Sequence, residues 1–288
     1  MTHLNKFSQT DYVWAALLAV TVILVTTLNA FNVLNAAASW SFGTLTITTF
    51  GVFVTLNLLF AFHLIERWIR IFDLPVEKML WTGISAAIIG FLGSHVFSIM
   101  FYYPNLTNSW EAYLDLRVGM SSFGGIITGA VGAVLALGFF RLNILQGLDA
   151  LAYGFVGGYV FGRAGCAFIH DHPGTTTDFI FATLIDGQLR HDLGFYEMWL
   201  MLSILVVFHL RFRTRAPAAG EVMMVFFLIY APIRFLFDFL RINEPRYAGL
   251  TPGQWAAFAF ILVGVTCWVR QLKQNKRDKA SFLPNDEG

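Results

Sequence analysis

Charge is scarce in this chain. Asp, Glu, Lys and Arg make up 13% of its 288 residues, and 19 basic against 18 acidic side chains leave a net charge of +1. A balance so close to zero offers no electropositive face to a polyanion, which excludes nucleic-acid binding. Cysteine is scarcer still: Cys166 and Cys267 are the two in the chain. The topology argued below puts them near opposite faces of a membrane, too far apart for a disulfide. No internal repeat is visible, and no long polar linker separates a second domain.

What is abundant is hydrocarbon: 57% of residues are hydrophobic and 30 are Phe, with a mean hydropathy of +0.63. A helix crossing the bilayer interior needs roughly 20 mostly apolar residues and must satisfy its backbone hydrogen bonds within itself. Eight runs meet that need, at residues 12–30, 45–66, 80–103, 119–140, 147–163, 194–210, 221–241 and 253–270. The predicted fold is therefore all-α, a polytopic membrane bundle of seven or eight helices with an outward-facing loop after the fifth span. Residues 1–44 form an additional first helix and connector, 45–270 the main membrane domain and 271–288 a charged tail. Residues 111–118 read as a short interfacial turn.

Basic residues set the orientation. Arg67, Arg70 and Lys78 follow the second span, Arg141 the fourth, Arg211, Arg213 and Arg215 the sixth, and a basic tail begins at Arg270; Arg117, Arg190 and Arg246 stand singly in the opposite loops. Lys and Arg accumulate on the cytoplasmic side, so both termini are expected inside and residues 164–193 outside. The first span is expected to be a retained helix. A cleaved signal peptide is the alternative, with Ala36-Ala37-Ala38 as the small-residue site, but Asn29, Asn32 and Asn35 set that site far from the apolar run.

Glycines four residues apart, Gly125 and Gly129 in the fourth span and Gly154, Gly158 and Gly162 in the fifth, predict close helix contacts. The fifth span then ends in Gly162-Arg163-Ala164-Gly165-Cys166, followed by His170-Asp171-His172-Pro173-Gly174. Charge at a lipid boundary is costly, which makes Arg163 a functional candidate, though an arginine snorkelling from a helix end would look the same. A second arginine shifts that balance. Tyr230, Arg234, Asp238 and Arg241 recur at helical spacing and share one stripe, either as an internally neutralised seam or as a partner for Arg163 around one anion. A planar guanidinium suits phosphate oxygens, so the pair points to a phospholipid head group. Pro232 is expected to bend this helix.

His170, Asp171 and His172 supply proton-handling groups, with His titrating near neutral pH and a neighbouring Asp able to fix its tautomer. Ordinary loop solvation is the competing reading. As a metal site the trio lacks the helical spacing that makes zinc motifs specific. His95 reads as an internally bonded helix histidine, and Cys166 as a small buried thiol or one activated by Arg163. Glu197, early in the sixth span, reads as a residue favouring a helix N-terminus.

Taken together, these residues resemble the prolipoprotein diacylglyceryl transferase family. Gly119-Met120-Ser121-Ser122-Phe123-Gly124-Gly125 looks like its GMSFHGG block, and Gly162-Arg163-Ala164-Gly165 like the start of its GRIGNFxNGExxG signature. Arg190-His191 with Tyr196-Glu197 is similar to RHPxQLYE. Tyr230 through Arg234, Asp238 and Arg241 resembles YxxxRFxxEFxR, and Gly249-Leu250 with Gly253-Gln254 resembles GLxxGQ. The resemblance implies transfer of a diacylglyceryl group from phosphatidylglycerol to the lipobox cysteine of a preprolipoprotein signal peptide, in the bacterial inner membrane among its lipids. It implies neither a metal nor a soluble cofactor.

The family's essential arginines fall on Arg163 and Arg234, its tyrosine on Tyr230, and its acidic positions on Asp171 and Asp238, each one methylene shorter. The candidate catalytic set is Arg163, Arg234, Tyr230, His170, Asp171 and His172. The candidate substrate contacts are Arg163, Arg234, Gly124, Gly125, Gly165, Gly174, Asp238, His95 and Cys166. Cys166 replaces the signature asparagine, Phe123 a histidine and Phe50 a tyrosine. Those departures leave two other readings: a phospholipid-binding or lipid-moving protein of the same fold, and a transferase with a different acceptor.

Overall fold

The computed structural model describes residues 8–31, 39–43, 45–242 and 244–281. Nine α-helices occur among them: α1 (Gln9–Ala30), α2 (Thr49–Phe72), α3 (Val76–Tyr102), the short α4 (Trp110–Leu114), α5 (Ser122–Phe139), α6 (Ile144–Ile169), α7 (Leu193–Phe212), α8 (Glu221–Phe237) and α9 (Pro252–Ser281). All but α4 are long and apolar enough to cross a membrane, eight among the described residues. The chain is a multi-pass helical membrane protein, as composition and run length predict.

Local chemistry sets where the helices start. Ser8 and Asp11 form a reciprocal capping box on α1. Thr48, Ser121, Asn143 and Asp192 each accept a hydrogen bond from a backbone N–H in the first turn of α2, α5, α6 and α7. Such caps satisfy donors that the helix itself leaves open. α8 runs unbroken through Pro232 and then tightens into a 3₁₀ turn over Asp238–Leu240.

Several boundaries differ from expectation: α2 runs on to Phe72 and α9 to Ser281, and two further differences bear on the site. The second apolar run begins as a strand: β1 (Ser39–Phe42) and β2 (Leu45–Thr48) pair antiparallel before α2 starts. The fifth run continues to Ile169, so Arg163 lies well inside α6 instead of at its end. Hydropathy ends the span where charge begins, whereas the helix persists because its polar residues are buried by neighbouring helices. His170 then caps α6 in the left-handed region at φ 52°. The polar loop that follows is not irregular. β3 (Pro173–Thr176), β4 (Thr183–Ile185) and β5 (Gln188–Asp192) form a small antiparallel sheet in the order β3-β5-β4. Residues 111–118 form α4 and a 3₁₀ turn, as expected of a short interfacial segment.

α6 is the axis of the bundle, packed by α1, α2, α5, α7 and α8. The small-residue spacing has the consequence predicted for it. A Cβ on Gly158 would lie 2.5 Å from the backbone oxygen of Asn57 in α2, and one on Gly90 of α3 would lie 3.0 Å from the carbonyl oxygen of Gly125 in α5. α1 is docked too: Val25 and Asn29 are buried, and Asn29 Oδ1 accepts a hydrogen bond from Thr183 Oγ1 in β4. That contact explains a buried asparagine in an apolar helix. The Ala36-Ala37-Ala38 site, with Asn32 and Asn35, lies outside the described residues.

Gly158→Val forces the α2 backbone away from α6, and overpacking of this kind costs about 1–3 kcal/mol. A lower midpoint of thermal unfolding in detergent is expected; an unchanged midpoint would mean that α2 does not sit against α6 at this glycine.

Candidate active site

Most of the buried charge among the described residues collects at one end of the bundle, with Asp149 and Glu221 buried at the other. Glu197, on the second turn of α7, is fully buried, with Oε2 2.9 Å from Arg163 Nε of α6 and Oε1 3.2 Å from Arg234 Nε of α8. Arg241, just past the 3₁₀ turn, approaches the same oxygen at 3.9 Å. Three cations therefore face one carboxylate from three parts of the chain. Neither Glu197 oxygen accepts a well-directed hydrogen bond, so these contacts are ion pairs whose N–H vectors point off the oxygens.

The two arginines that resemblance singles out meet at a carboxylate of the protein itself, Glu197, and Arg234 also pairs with Asp238, as the internally neutralised alternative expected. The sequence reading of Glu197 as a helix N-terminal residue missed this. The available signal was a carboxylate inside an apolar run, since an ionised group there is costly unless paired.

Each arginine is held by further partners. Arg163 Nη2 donates to Tyr159 Oη at 2.5 Å and to Ser122 Oγ at 3.3 Å, and its guanidinium lies 4.7 Å from the Tyr159 ring centre. Nη1 lies 3.6 Å from Cys166 Sγ. Arg234 Nη1 pairs with Asp238 Oδ1, and its guanidinium sits 5.0 Å from the centre of the Phe123 ring. Asp238 also receives Arg241 Nε at 3.1 Å and the Thr251 hydroxyl at 2.6 Å. Thr251 and Gln254 bond each other reciprocally at the start of α9, so this last motif anchors Asp238. Arg241 Nη1 is taken by Glu244 at 2.9 Å.

Tyr230, one turn before Arg234, is fully buried, and its hydroxyl has no hydrogen-bond partner among the described residues. A buried hydroxyl left unpaired costs free energy, which marks it as a donor facing the site.

The exit of α6 closes on the entry of α7. His170 Nδ1 lies 2.7 Å from Asp192 Oδ2, while Asp192 Oδ1 accepts from Phe195 N at 3.1 Å to cap α7. A Cβ on Gly194 would meet Ala167 N at 2.8 Å, so only glycine permits this approach. Asp192 was not among the expected site residues, yet it fixes the helix that carries Glu197. His170 is accordingly engaged with Asp192, while Asp171 and His172 turn toward Cys166.

Cys166, Asp171 and His172 bring their ligating atoms within 4.8 Å of one another, a donor set that sequence spacing did not indicate. The Arg163 guanidinium beside the thiol opposes a cation there by like-charge repulsion. Burial pushes the Asp171 carboxyl up to about 6, with Arg163 partly offsetting it. Burial, reinforced by Arg163, Arg241 and Arg234, holds His172 well below the ordinary histidine value. Both are therefore proton acceptors at neutral pH.

The remaining expected contacts lie outside this cluster or serve packing. His95 sets Nδ1 3.0 Å from Gly119 O and Nε2 3.1 Å from Ala112 O, donating to one of them in the neutral ring, and so ties the 110–119 segment to α3. Gly124 and Gly125 face α3 at Phe97 and Ser94, Gly165 faces Phe50 and Phe53 of α2, and Gly174 lies between His191 and Leu240.

A family model described as prolipoprotein diacylglyceryl transferase matches residues 37–270. Among curated relatives, the phosphatidylglycerol–prolipoprotein diacylglyceryl transferase of Campylobacter hominis is 25% identical over 268 residues, covering 87% of this chain and 92% of its own. The protein of the same name from Campylobacter jejuni subsp. doylei is 28% identical over 262 residues, covering 83% and 92%. That of Finegoldia magna is 22% identical over 226 residues, covering 78% and 91%.

Removing the Glu197 charge strands two buried guanidinium groups, and breaking a buried ion pair from one side costs about 3–5 kcal/mol. Glu197→Gln is expected to lower the unfolding midpoint more than Arg241→Gln, whose partner is the peripheral member of the group. Equal stability of Glu197→Gln and the native chain would show that the arginines do not depend on this carboxylate.

Proposed function

This chain belongs to the prolipoprotein diacylglyceryl transferase family, and from that membership we propose that it moves a diacylglyceryl group from phosphatidylglycerol to the lipobox cysteine of a preprolipoprotein. In that reaction the acceptor sulfur bonds to the glyceryl carbon as the carbon–oxygen bond to phosphate breaks. Glycerol phosphate departs with the electron pair, and the thiol gives up its proton.

The observation that carries the proposal is the arginine pair held in place by Glu197. Two buried guanidiniums fixed before substrate arrives are preorganised to stabilise charge that develops on a leaving phosphate. Arg234 directs Nε toward Glu197 and Nη1 toward Asp238. Its planar fork suits phosphate oxygens. Tyr230 offers a hydroxyl donor beside it.

The acceptor thiol must reach the thiolate form to act as nucleophile. Asp171 is the proposed base, with a raised carboxyl pKa that matches the task and a position next to Arg163. His170 orients through Asp192. The Lys and Arg distribution along the chain supports an inner-membrane protein with this site toward the periplasmic leaflet, where preprolipoprotein signal peptides and phosphatidylglycerol are both accessible.

Mass spectrometry of a lipobox peptide incubated with the purified protein and phosphatidylglycerol tests the reaction. A diacylglyceryl mass on the cysteine is expected, absent with folded Arg163→Ala. No product from well-folded native protein would turn the assignment toward the phospholipid-binding reading, which Phe50 and Cys166 favour. Arg234→Lys keeps charge but loses the fork, and turnover should fall by about 100-fold or more, the scale of a lost transition-state donor; unchanged turnover removes Arg234 from the phosphate site. Because Asp171 protonates as pH falls through about 6, activity should rise with pH through that value and then level. Asp171→Asn should lower turnover and abolish this limb, whereas a limb that persists there and vanishes in His172→Ala would move the base to His172.

A further inference from the structure

At the end of the bundle away from Glu197, the first half of α1 and the last turns of α2 and α7 stand apart over α6 and enclose a cavity of about 330 Å³. That volume falls in the range of ligand pockets. Its body is aromatic, with Trp14, Phe60, Trp68, Tyr153 and Phe208 among the walls. Its mouth is charged. Asp11 receives His63 Nε2 at 2.9 Å and Arg67 Nη1 at 2.8 Å, so its one negative charge is spent internally. Arg213, exposed at the C-cap of α7, also lines the cavity and has no ion pair among the described residues.

One carboxylate against two arginines leaves the lining at +1 before His63 or His209 is counted. Asp11, Arg67 and Arg213 lie within about a turn of their helix ends, and Trp14, Phe60 and Phe208 lie a turn or more deeper. This is the layout of an amphiphile site: a tail in the aromatic body and an anionic head at the interface.

We propose that this cavity binds one anionic phospholipid, its acyl chain against Trp14 and Phe60 and its phosphate at Arg213. The lipid would seat the foot of α1, the helix that precedes the family-matched residues 37–270. The other end of α1 is held by Asn29 against Thr183. A lipid at the foot would add to the hold that Asp11 and Trp14 already have on α2 there. The site is separate from the arginine cluster, and it stands whether or not the transfer reaction does.

Native mass spectrometry of the full chain in detergent, titrated with phosphatidylglycerol or phosphatidylcholine, tests the proposal. Every variant of the cavity keeps the candidate active site, so phosphatidylglycerol held there is common to all of them and the cavity's adduct is the additional one that Arg213 governs. Phosphatidylcholine is expected to bind the cavity at least about tenfold more weakly than phosphatidylglycerol. Arg213→Glu should weaken the adduct by about tenfold or more, and Arg213→Lys should restore it, because a point charge suffices for a phosphate at an exposed rim. Leu205→Trp, which fills the cavity, should abolish the adduct; since Arg213 is exposed, its variants carry the test if Leu205→Trp does not fold. Equal retention of the two lipids, or an adduct indifferent to Arg213→Glu, would mean surrounding bilayer lipid only and would overturn the site. Turnover of the lipobox peptide is measured in parallel on the native background, where Arg213→Glu should leave it intact; loss of turnover without loss of the adduct would also overturn the separation of the two sites.

Discussion

A carboxylate buried between two arginines governs the architecture at one end of this protein. Glu197 is fully buried, and Arg163 and Arg234 are nearly so. None of the three could occupy that position alone, because an unpaired charge in a low-dielectric interior costs several kcal/mol even after relaxation. The helices that carry them, α6, α7 and α8, must therefore come together in one register, and the surrounding devices serve that register. Asp192 caps α7 and grips His170 at the end of α6. Gly194 lets the two helices approach, and Asp238 ties Arg234 to the start of α9 through Thr251.

The departures from the family pattern are intelligible around the same centre. Phe123 puts an aromatic face under Arg234 where the family block has histidine, replacing a titratable neighbour with a cation–π contact. Cys166 offers a weakly polar sulfur to Arg163. Phe50 packs beside Gly165, where a phenyl ring contributes contact but no hydrogen bond. Asp238 is one methylene shorter than the glutamate of the family motif, and α8 tightens into a 3₁₀ turn at this residue. Phe123, Phe50 and Cys166 lower the hydrogen-bonding capacity of their positions, whereas Asp238 keeps its carboxylate and its pairing with Arg234. That combination makes Asp171, His172 and Tyr230 the remaining polar groups through which the proposed chemistry could proceed.

α1 extends the bundle at both ends. Near the candidate active site it reaches the small sheet through Asn29, and the sheet runs on through β5 into Asp192 and α7. At the other end it forms one wall of the aromatic cavity. An added helix can therefore bear on the active end through the sheet without contributing a residue to the arginine cluster.

Hydropathy and helical spacing were enough to read the eight spans, the glycine faces of α5 and α6 that pack closely, though not their partners α3 and α2, and the polar stripe of Tyr230, Arg234 and Asp238. These are local properties: length of apolar run, and recurrence at three or four residues, depend only on neighbours along the chain. The true end of α6, the strands of the outer loop, the role of Glu197 and the grouping of Cys166 with Asp171 and His172 were not legible in the same way. A charge inside an apolar run reads as a boundary unless its counter-ion is known, and the counter-ions of Arg163 and Arg234 come from another helix. Sequence alone determined that this chain crosses a membrane and carries Arg163 and Arg234 in stretches that resemble the family's motifs. Tertiary structure decided which carboxylate holds them and how deep they lie, because the pairing energy that makes buried charge tolerable exists only once α6, α7 and α8 are packed together.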